Sequence, residues 1–125
     1  MTKQTLTTKQ IGDMGEAIAK RFLTGKGYEI VALNYRYSRA EVDIIAKYET
    51  ALIFIEVKTK SYTYYGDPAE SVTASKERMY FDAANKYMEE IEWEGEIRFD
   101  IISIILSEDG KHNISHFEDA FFAGL

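Results

Sequence analysis

Residues 41–60, EVDIIAKYETALIFIEVKTK, decide how this chain folds. Two runs rich in isoleucine, valine, phenylalanine and tyrosine, residues 41–48 and 51–60, are separated only by Glu49 and Thr50. A two-residue gap between such runs predicts an antiparallel hairpin. The second run is apolar on both faces through Leu52, Ile53, Phe54 and Ile55, the pattern of a central strand covered from both sides. It turns charged only at Glu56 and Lys58.

Side chains alternate along a strand, so Glu56 and Lys58 are expected on one face, and Glu41 and Asp43 likewise. With Glu49 and Thr50 as the turn, Tyr48 pairs with Ala51, and counting back sets Asp43 opposite Glu56 and Glu41 opposite Lys58. Opposed carboxylates destabilise a sheet, more so when buried. A divalent cation between them removes the conflict. Oxygen donors with room for water and phosphate oxygens suit magnesium, which polarises a phosphodiester and makes a nearby water more acidic. Lys58 can orient that water or offset charge developing on the phosphate. The bland reading of the same residues is a solvated strand end with a Lys58–Glu41 ion pair.

Outward from the hairpin, Ile11, Met14, Ile18 and Phe22 recur at helical spacing within residues 8–26, with Gly25 and Gly27 as the stop. Gly12 and Gly15 each cost a helix about 1 kcal/mol relative to alanine, which points to close approach by a neighbouring element. Residues 28–37 read as a strand ending in Tyr35, Arg36 and Tyr37, with Arg39 just beyond. Downstream, residues 61–70 read as a tyrosine-rich loop punctuated by Gly66, Asp67 and Pro68. Thr73 or Ser75 is then expected to cap a second helix reaching about residue 91, with Tyr80, Ala83, Ala84, Tyr87 and Ile91 on one face. Residues 98–106 follow as a strand, and the long helix before them implies a crossover that sets them parallel to residues 51–60. Residues 111–125 add one more strand and an apolar end through Phe117, Phe121 and Phe122. The order predicts one α/β domain over residues 1–125, built on a mixed sheet.

Composition agrees with a single core, since 125 residues with 46% hydrophobic content suffice for one and not for two. The absence of cysteine removes disulfides, thiolate metal sites and cysteine nucleophiles. Residues 1–10 lack the basic-then-apolar order of a signal peptide, and the longest unbroken apolar stretch is residues 51–55, so a cytoplasmic protein outside the membrane is expected. The net charge of −6 opposes a nucleic-acid partner. Five of the acids, Glu89, Glu90, Glu92, Glu94 and Glu96, are confined to one short stretch, and without them 16 acidic residues face 15 basic ones.

The pattern Glu41-Val42-Asp43-Ile44-Ile45 followed by Phe54-Ile55-Glu56-Val57-Lys58-Thr59-Lys60 resembles the signature of the PD-(D/E)xK nucleases, in particular the YraN-like family of small bacterial predicted endonucleases, related to the archaeal Holliday junction resolvases. Matching segments run along nearly the whole chain: Gly12 to Glu16, Tyr28 to Arg36, Gly66-Asp67-Pro68 with Glu70, Lys76, Arg98-Phe99-Asp100 and Phe117 to Phe121. The resemblance implies a restriction-endonuclease-like mixed sheet flanked by helices. It further implies Asp43 and Glu56 as ligands of Mg2+ or Mn2+, Lys58 as the catalytic lysine, and Glu16 contributing from the first helix. The implied partner is DNA, at branched or irregular structures, and the related resolvases suggest a homodimer. One departure is Ala40, where the family usually has glycine.

Several residues keep two readings. Glu16 either supports the metal site or pairs with Lys20 one turn on. Lys76 either contacts a phosphate or is an exposed lysine. Arg98 and Asp100 form a pair near the site or an ordinary salt bridge. Arg36, Arg39 and Lys60 with Tyr35, Tyr37, Tyr62, Tyr64 and Tyr65 combine charge with stacking surface suited to irregular DNA, or merely pack. His112 and His116 read as surface groups on an edge strand. A non-catalytic binding module on a nuclease-like fold is the competing class, and a purely structural interaction protein is a third.

Overall fold

The hairpin forms where it was expected, with Tyr48 paired to Ala51 around Glu49 and Thr50. Glu49 takes a left-handed φ of 54°, as tight hairpin turns require. The computed structural model describes residues 6–61 and 74–121. These form α1 (Thr8–Gly25), β1 (Glu29–Tyr37), β2 (Ala40–Tyr48), β3 (Ala51–Ser61), α2 (Ala74–Ile91), β4 (Glu96–Leu106) and β5 (His112–Phe117). The strands make one sheet in the order β1-β2-β3-β4-β5. Every neighbouring pair is antiparallel except β3 and β4, which run parallel from Ala51↔Glu96 to Ser61↔Leu106, as the α2 crossover demands. This is the mixed α/β architecture expected of a restriction-endonuclease-like fold.

Two apolar layers flank the sheet. Ile18, Ala19 and Leu23 of α1 pack with Ile53 and Ile55 of β3 and Ile102 and Ile104 of β4. Tyr80, Ala83, Ala84 and Tyr87 of α2 pack on the other face with Leu52, Phe54, Phe99 and Phe121. Strand β3 therefore buries alternate residues in opposite layers. Each fully buried aliphatic or aromatic side chain of this kind contributes roughly 1.5–3 kcal/mol, so β3 anchors the domain.

Helix α1 starts with a reciprocal capping box: Gln10 N–H donates to Thr7 Oγ1 at 3.1 Å, and Thr7 N–H donates to Gln10 Oε1 at 2.8 Å. Its close approach to the sheet is at Gly15, where a Cβ would stand 1.7 Å from Thr59 Oγ1 in β3, whereas Gly12 has open space beside it. The apolar stripe consequently centres on Gly15, Ile18, Ala19 and Leu23, and Met14, expected within it, is turned outward. In α2, Tyr80, Ala83, Ala84 and Tyr87 are buried as expected, but Ile91 at the helix end is exposed. Ser75 lies inside the helix rather than capping it. Phe121 is buried, while Phe117 on the outer strand is 52% exposed. Thr73, Glu70, Phe122, residues 66–68 and the loop tyrosines Tyr62, Tyr64 and Tyr65 lie outside the described residues. Among the described residues, no helix is long and apolar enough to cross a membrane.

Candidate active site

The β2–β3 ladder keeps the expected register over five pairs, ending at Ile44↔Ile55. The two expected pairs beyond it, Asp43 opposite Glu56 and Glu41 opposite Lys58, are not part of the ladder. Instead the Val57 N–H donates to Asp43 Oδ2 at 2.8 Å, so a side-chain carboxylate takes the place of a ladder carbonyl. Strict alternation also fails here. Val42 packs in the α2 layer and Ile44 in the α1 layer, although residues two apart in a regular strand share a face. The neighbouring β1 changes at the same level: Asn34 adopts a left-handed φ of 49° between the pairs Leu33↔Ile44 and Tyr35↔Val42. Glu41 and Asp43 therefore do not share a face by simple alternation.

Where β2 leaves β3, a cavity of about 510 Å³ opens, lined by Arg39, Ala40, Glu41, Asp43, Glu56, Lys76, Met79 and Tyr80. Asp43 and Glu56 thus meet in one cavity, though by strand separation rather than by direct pairing. Glu56 is buried at the last doubly covered position of β3. One of its oxygens, Oε1, is held by the Lys76 ammonium from the first turn of α2, and the other, Oε2, is buried with no hydrogen-bond partner. Leaving a buried carboxylate oxygen unsatisfied is expensive. Burial pushes the Asp43 carboxyl up to about 6 in spite of the Val57 N–H, and Glu16, Glu56 and Glu41 push in the same direction. The Tyr80 phenol is raised as well, first by burial and then by Glu56, Asp43 and Glu41. Four carboxylates therefore share one electrostatic neighbourhood.

Two of the four are tied together. Asn34 Nδ2 donates to Glu16 Oε1 at 2.9 Å and to Glu41 Oε1 at 3.1 Å, so the left-handed residue of β1 joins α1 to β2. Glu16 is thus brought to the site's edge. Asn34 was not singled out in the sequence. An asparagine inside a strand pattern is the available signal, because it tolerates left-handed backbone better than most residues.

The remaining predicted residues divide. Lys58 follows Glu56 by two positions, half-buried and level with Ser103 of β4, and is not among the residues lining the cavity. Arg39 lines the cavity. Arg36 forms a surface pair with Glu41 at 3.3 Å. Lys60 lines a separate cavity beside the start of α1, with Thr8, Ile11 and Gly12. Ala40 is buried and free of the left-handed backbone that would have required glycine. Lys76, for which exposure was the bland reading, is in the site.

Arg98 and Asp100 belong elsewhere, and so does His116. Arg98 holds both Asp100 oxygens at 2.8 Å and donates to the Tyr28 hydroxyl at 2.7 Å. His116 is not a surface group: its side chain is 5% exposed and Nε2 lies 2.7 Å from Asp100 Oδ2. Lys26 Nζ stands 3.0 Å from His116 Nδ1. An ammonium only donates, so Nδ1 accepts and the imidazole proton sits on Nε2, facing Asp100. This cluster lies on the α1 face, away from the cavity.

A divalent cation fits the cavity on its chemistry. Its carboxylates supply oxygen donors, one of them buried and unsatisfied, and magnesium is commonly held by one or two carboxylates with water and phosphate oxygens completing the set. Among the described residues, no three histidine, aspartate or glutamate side chains stand close enough to hold an ion by themselves. Asp43 and Glu56 are the two that would.

The profile of the family described as "Uncharacterised protein family UPF0102" matches residues 15–104. The chain is 47% identical over 113 residues to a UPF0102 protein of Christiangramia forsetii, covering 90% of this chain and 94% of that one. It is 46% identical over 121 residues to a UPF0102 protein of Chlorobaculum tepidum, covering 91% and 93%. With a UPF0102 protein of Natranaerobius thermophilus it shares 40% identity over 119 residues, covering 93% of this chain and all of that one. Because these matches span both helices, the hairpin and β4, the chain belongs to the UPF0102 family, the YraN-like family that its sequence resembles.

Proposed function

We propose that this protein is a metal-dependent endonuclease that hydrolyses DNA phosphodiester bonds, at branched or otherwise irregular structures. The observation that carries this reading is the Glu56 carboxylate, buried with Oε2 unsatisfied in a cavity it shares with Asp43. Mg2+ or Mn2+ bound there would polarise the phosphodiester and make a nearby water acidic enough to attack. Asp43 and Glu56 hold the cation. Lys58, two residues along β3, orients the water or offsets charge gathering on the phosphate. Glu16 steadies the edge of the site through Asn34, and Arg39 on the cavity wall attracts the DNA backbone. A cavity of about 510 Å³ accommodates a phosphodiester and its flanking groups.

The test is incubation with linear, single-stranded, flapped and four-way DNA in Mg2+ or Mn2+, beside Glu56→Gln and Lys58→Ala. Each variant is expected to lose about 10²-fold or more in rate. Cleavage persisting undiminished in both rejects the assignment. Sedimentation of the same samples reads whether two copies associate, as the resolvase likeness implies.

A second reading, a nucleic-acid- or protein-binding module without catalysis, is favoured by one observation: Lys76 already supplies Glu56 with a cation. On that reading DNA binds uncleaved, and divalent ions leave the protein's thermal stability unchanged.

A further inference from the structure

Lys76 and Glu56 make an uneven pair. The Glu56 side chain is 7% exposed and that of Lys76 is 44% exposed, so a desolvated carboxylate is served by an ammonium at the cavity rim. The service is partial, because only Oε1 is engaged while Oε2 has no partner. Arginine in this place could grip both oxygens through its planar fork, whereas lysine is a point charge on a flexible stem. The cavity walls also carry Glu41 and Asp43 beside Glu56, against Lys76 and Arg39. Three carboxylates against Lys76 and Arg39 leave the cavity lining one positive charge short, and a divalent cation that also engages Glu56 Oε2 is the better partner for it.

We propose that Lys76 is a displaceable internal counter-ion: its ammonium occupies Glu56 Oε1 in the free protein, and a divalent cation competes with it for that carboxylate. The proposal rests on the cation-site reading above and adds its regulation. Lys76 keeps the free site stable while setting how tightly the ion binds. The lysine sits in the first turn of α2 with its head at the rim, so leaving Glu56 gives up a cation–π approach of 5.9 Å to the Tyr80 ring but none of the apolar packing of Tyr80, Ala83, Ala84 and Tyr87 that holds the helix to the sheet.

The experiment is calorimetric titration of Mn2+ into the full chain without DNA, for wild type, Lys76→Met and Lys76→Arg. Lys76→Met is expected to bind Mn2+ at least about fivefold more tightly than wild type, and Lys76→Arg, which keeps the charge, to show no gain. Adding Glu56→Gln to Lys76→Met should abolish the gain. In parallel, Lys76→Met should melt at lower temperature than wild type without Mn2+, and the gap should narrow at saturating Mn2+. Lys76→Gln provides the same reading should methionine not be tolerated. Equal or weaker Mn2+ binding by Lys76→Met, or an equal gain in Lys76→Arg, overturns the competition and leaves the cation site standing. Failure of wild type and Lys76→Met alike to take up millimolar Mn2+ overturns both.

Discussion

Asp100, Glu56 and the half-buried Asp43 are acidic groups on neighbouring strands of one sheet, and the protein treats Asp100 and the Asp43–Glu56 pair in opposite ways. Asp100 is fully buried and receives Arg98 on both oxygens, His116 on Oδ2 and the Asp119 N–H on Oδ1. Burial alone would raise its carboxyl, but the His116, Arg98 and Asp119 bonds outweigh it and hold the pKa below its ordinary value. Asp43 receives one backbone N–H, sits among other carboxylates and is raised to about 6, while Glu56 keeps an oxygen without a partner. The first arrangement is closed and ties β4 and β5 to Lys26 and Tyr28 on the α1 side. The second is open and has capacity left for a cation. Satisfaction of hydrogen bonds, rather than residue type, separates the closed carboxylate from the open pair.

That contrast breaks most visibly at Asp100. Asp100→Asn leaves Arg98 only the exposed Glu118, 3.8 Å away, as a charge partner, and urea unfolding is expected to show a loss of about 3 kcal/mol. If the loss is below about 1 kcal/mol, the closed network is not what holds β5 to the sheet. On the open side, Mn2+ at a hundred times its dissociation constant should stabilise wild type by about 2.7 kcal/mol. The gain should vanish in Glu56→Gln, as read by thermal melting.

Asp43→Asn is expected to stabilise the metal-free protein at pH 7.5 by about 1–2 kcal/mol, because the amide still accepts from Val57 without bringing charge into the acidic cluster. The sign follows from the pKa values. Asp43 has a folded value of about 6 against 3.8, so its relative contribution is fully present below 3.8 and is lost as pH rises through 6. Asp100, lowered on folding, contributes above 3.8 and loses its contribution as pH falls through its folded value. Melting curves of wild type and Asp43→Asn should therefore converge toward pH 4 and separate above pH 6. Curves that stay parallel throughout would place Asp43 in an ordinary environment.

The smallest contrast sharpens how α1 carries Glu16 to the site. Gly15→Ala drives a methyl into Thr59 and should destabilise by about 1–2 kcal/mol. Gly12→Ala meets nothing and should gain up to about 1 kcal/mol from helix propensity. Equal effects at the two positions in urea unfolding would mean that α1 does not rest on β3 through Gly15.

What was legible in advance follows from short-range rules. The turn at Glu49 and Thr50, the doubly apolar β3, the parallel β4 and the buried face of α2 at Tyr80, Ala83, Ala84 and Tyr87 all express the two-residue or 3.6-residue period of one segment, or the length of one connection. Asp43 and Glu56 could be brought into one neighbourhood by counting from the turn, because each residue of a ladder fixes the next. Their actual meeting is different, through a strand that parts from its neighbour at Asp43. Counting cannot foresee that, because it assumes that the ladder continues, and it stops at the level where Asn34 of the adjacent strand turns left-handed.

By itself, then, the sequence determined the periodic elements, the order of the sheet around the hairpin and the acidic character of the β2–β3 end, since these depend on residues near one another in the chain. Tertiary structure alone decided that Lys76 reaches Glu56, that Asn34 joins Glu16 to Glu41, and that His116 is buried against Asp100 rather than exposed on an edge. Each of these is a bond between residues 7 to 20 positions apart, on different elements. Whether such groups meet is set by where the helices cross the sheet and which strands adjoin, and no local pattern encodes that.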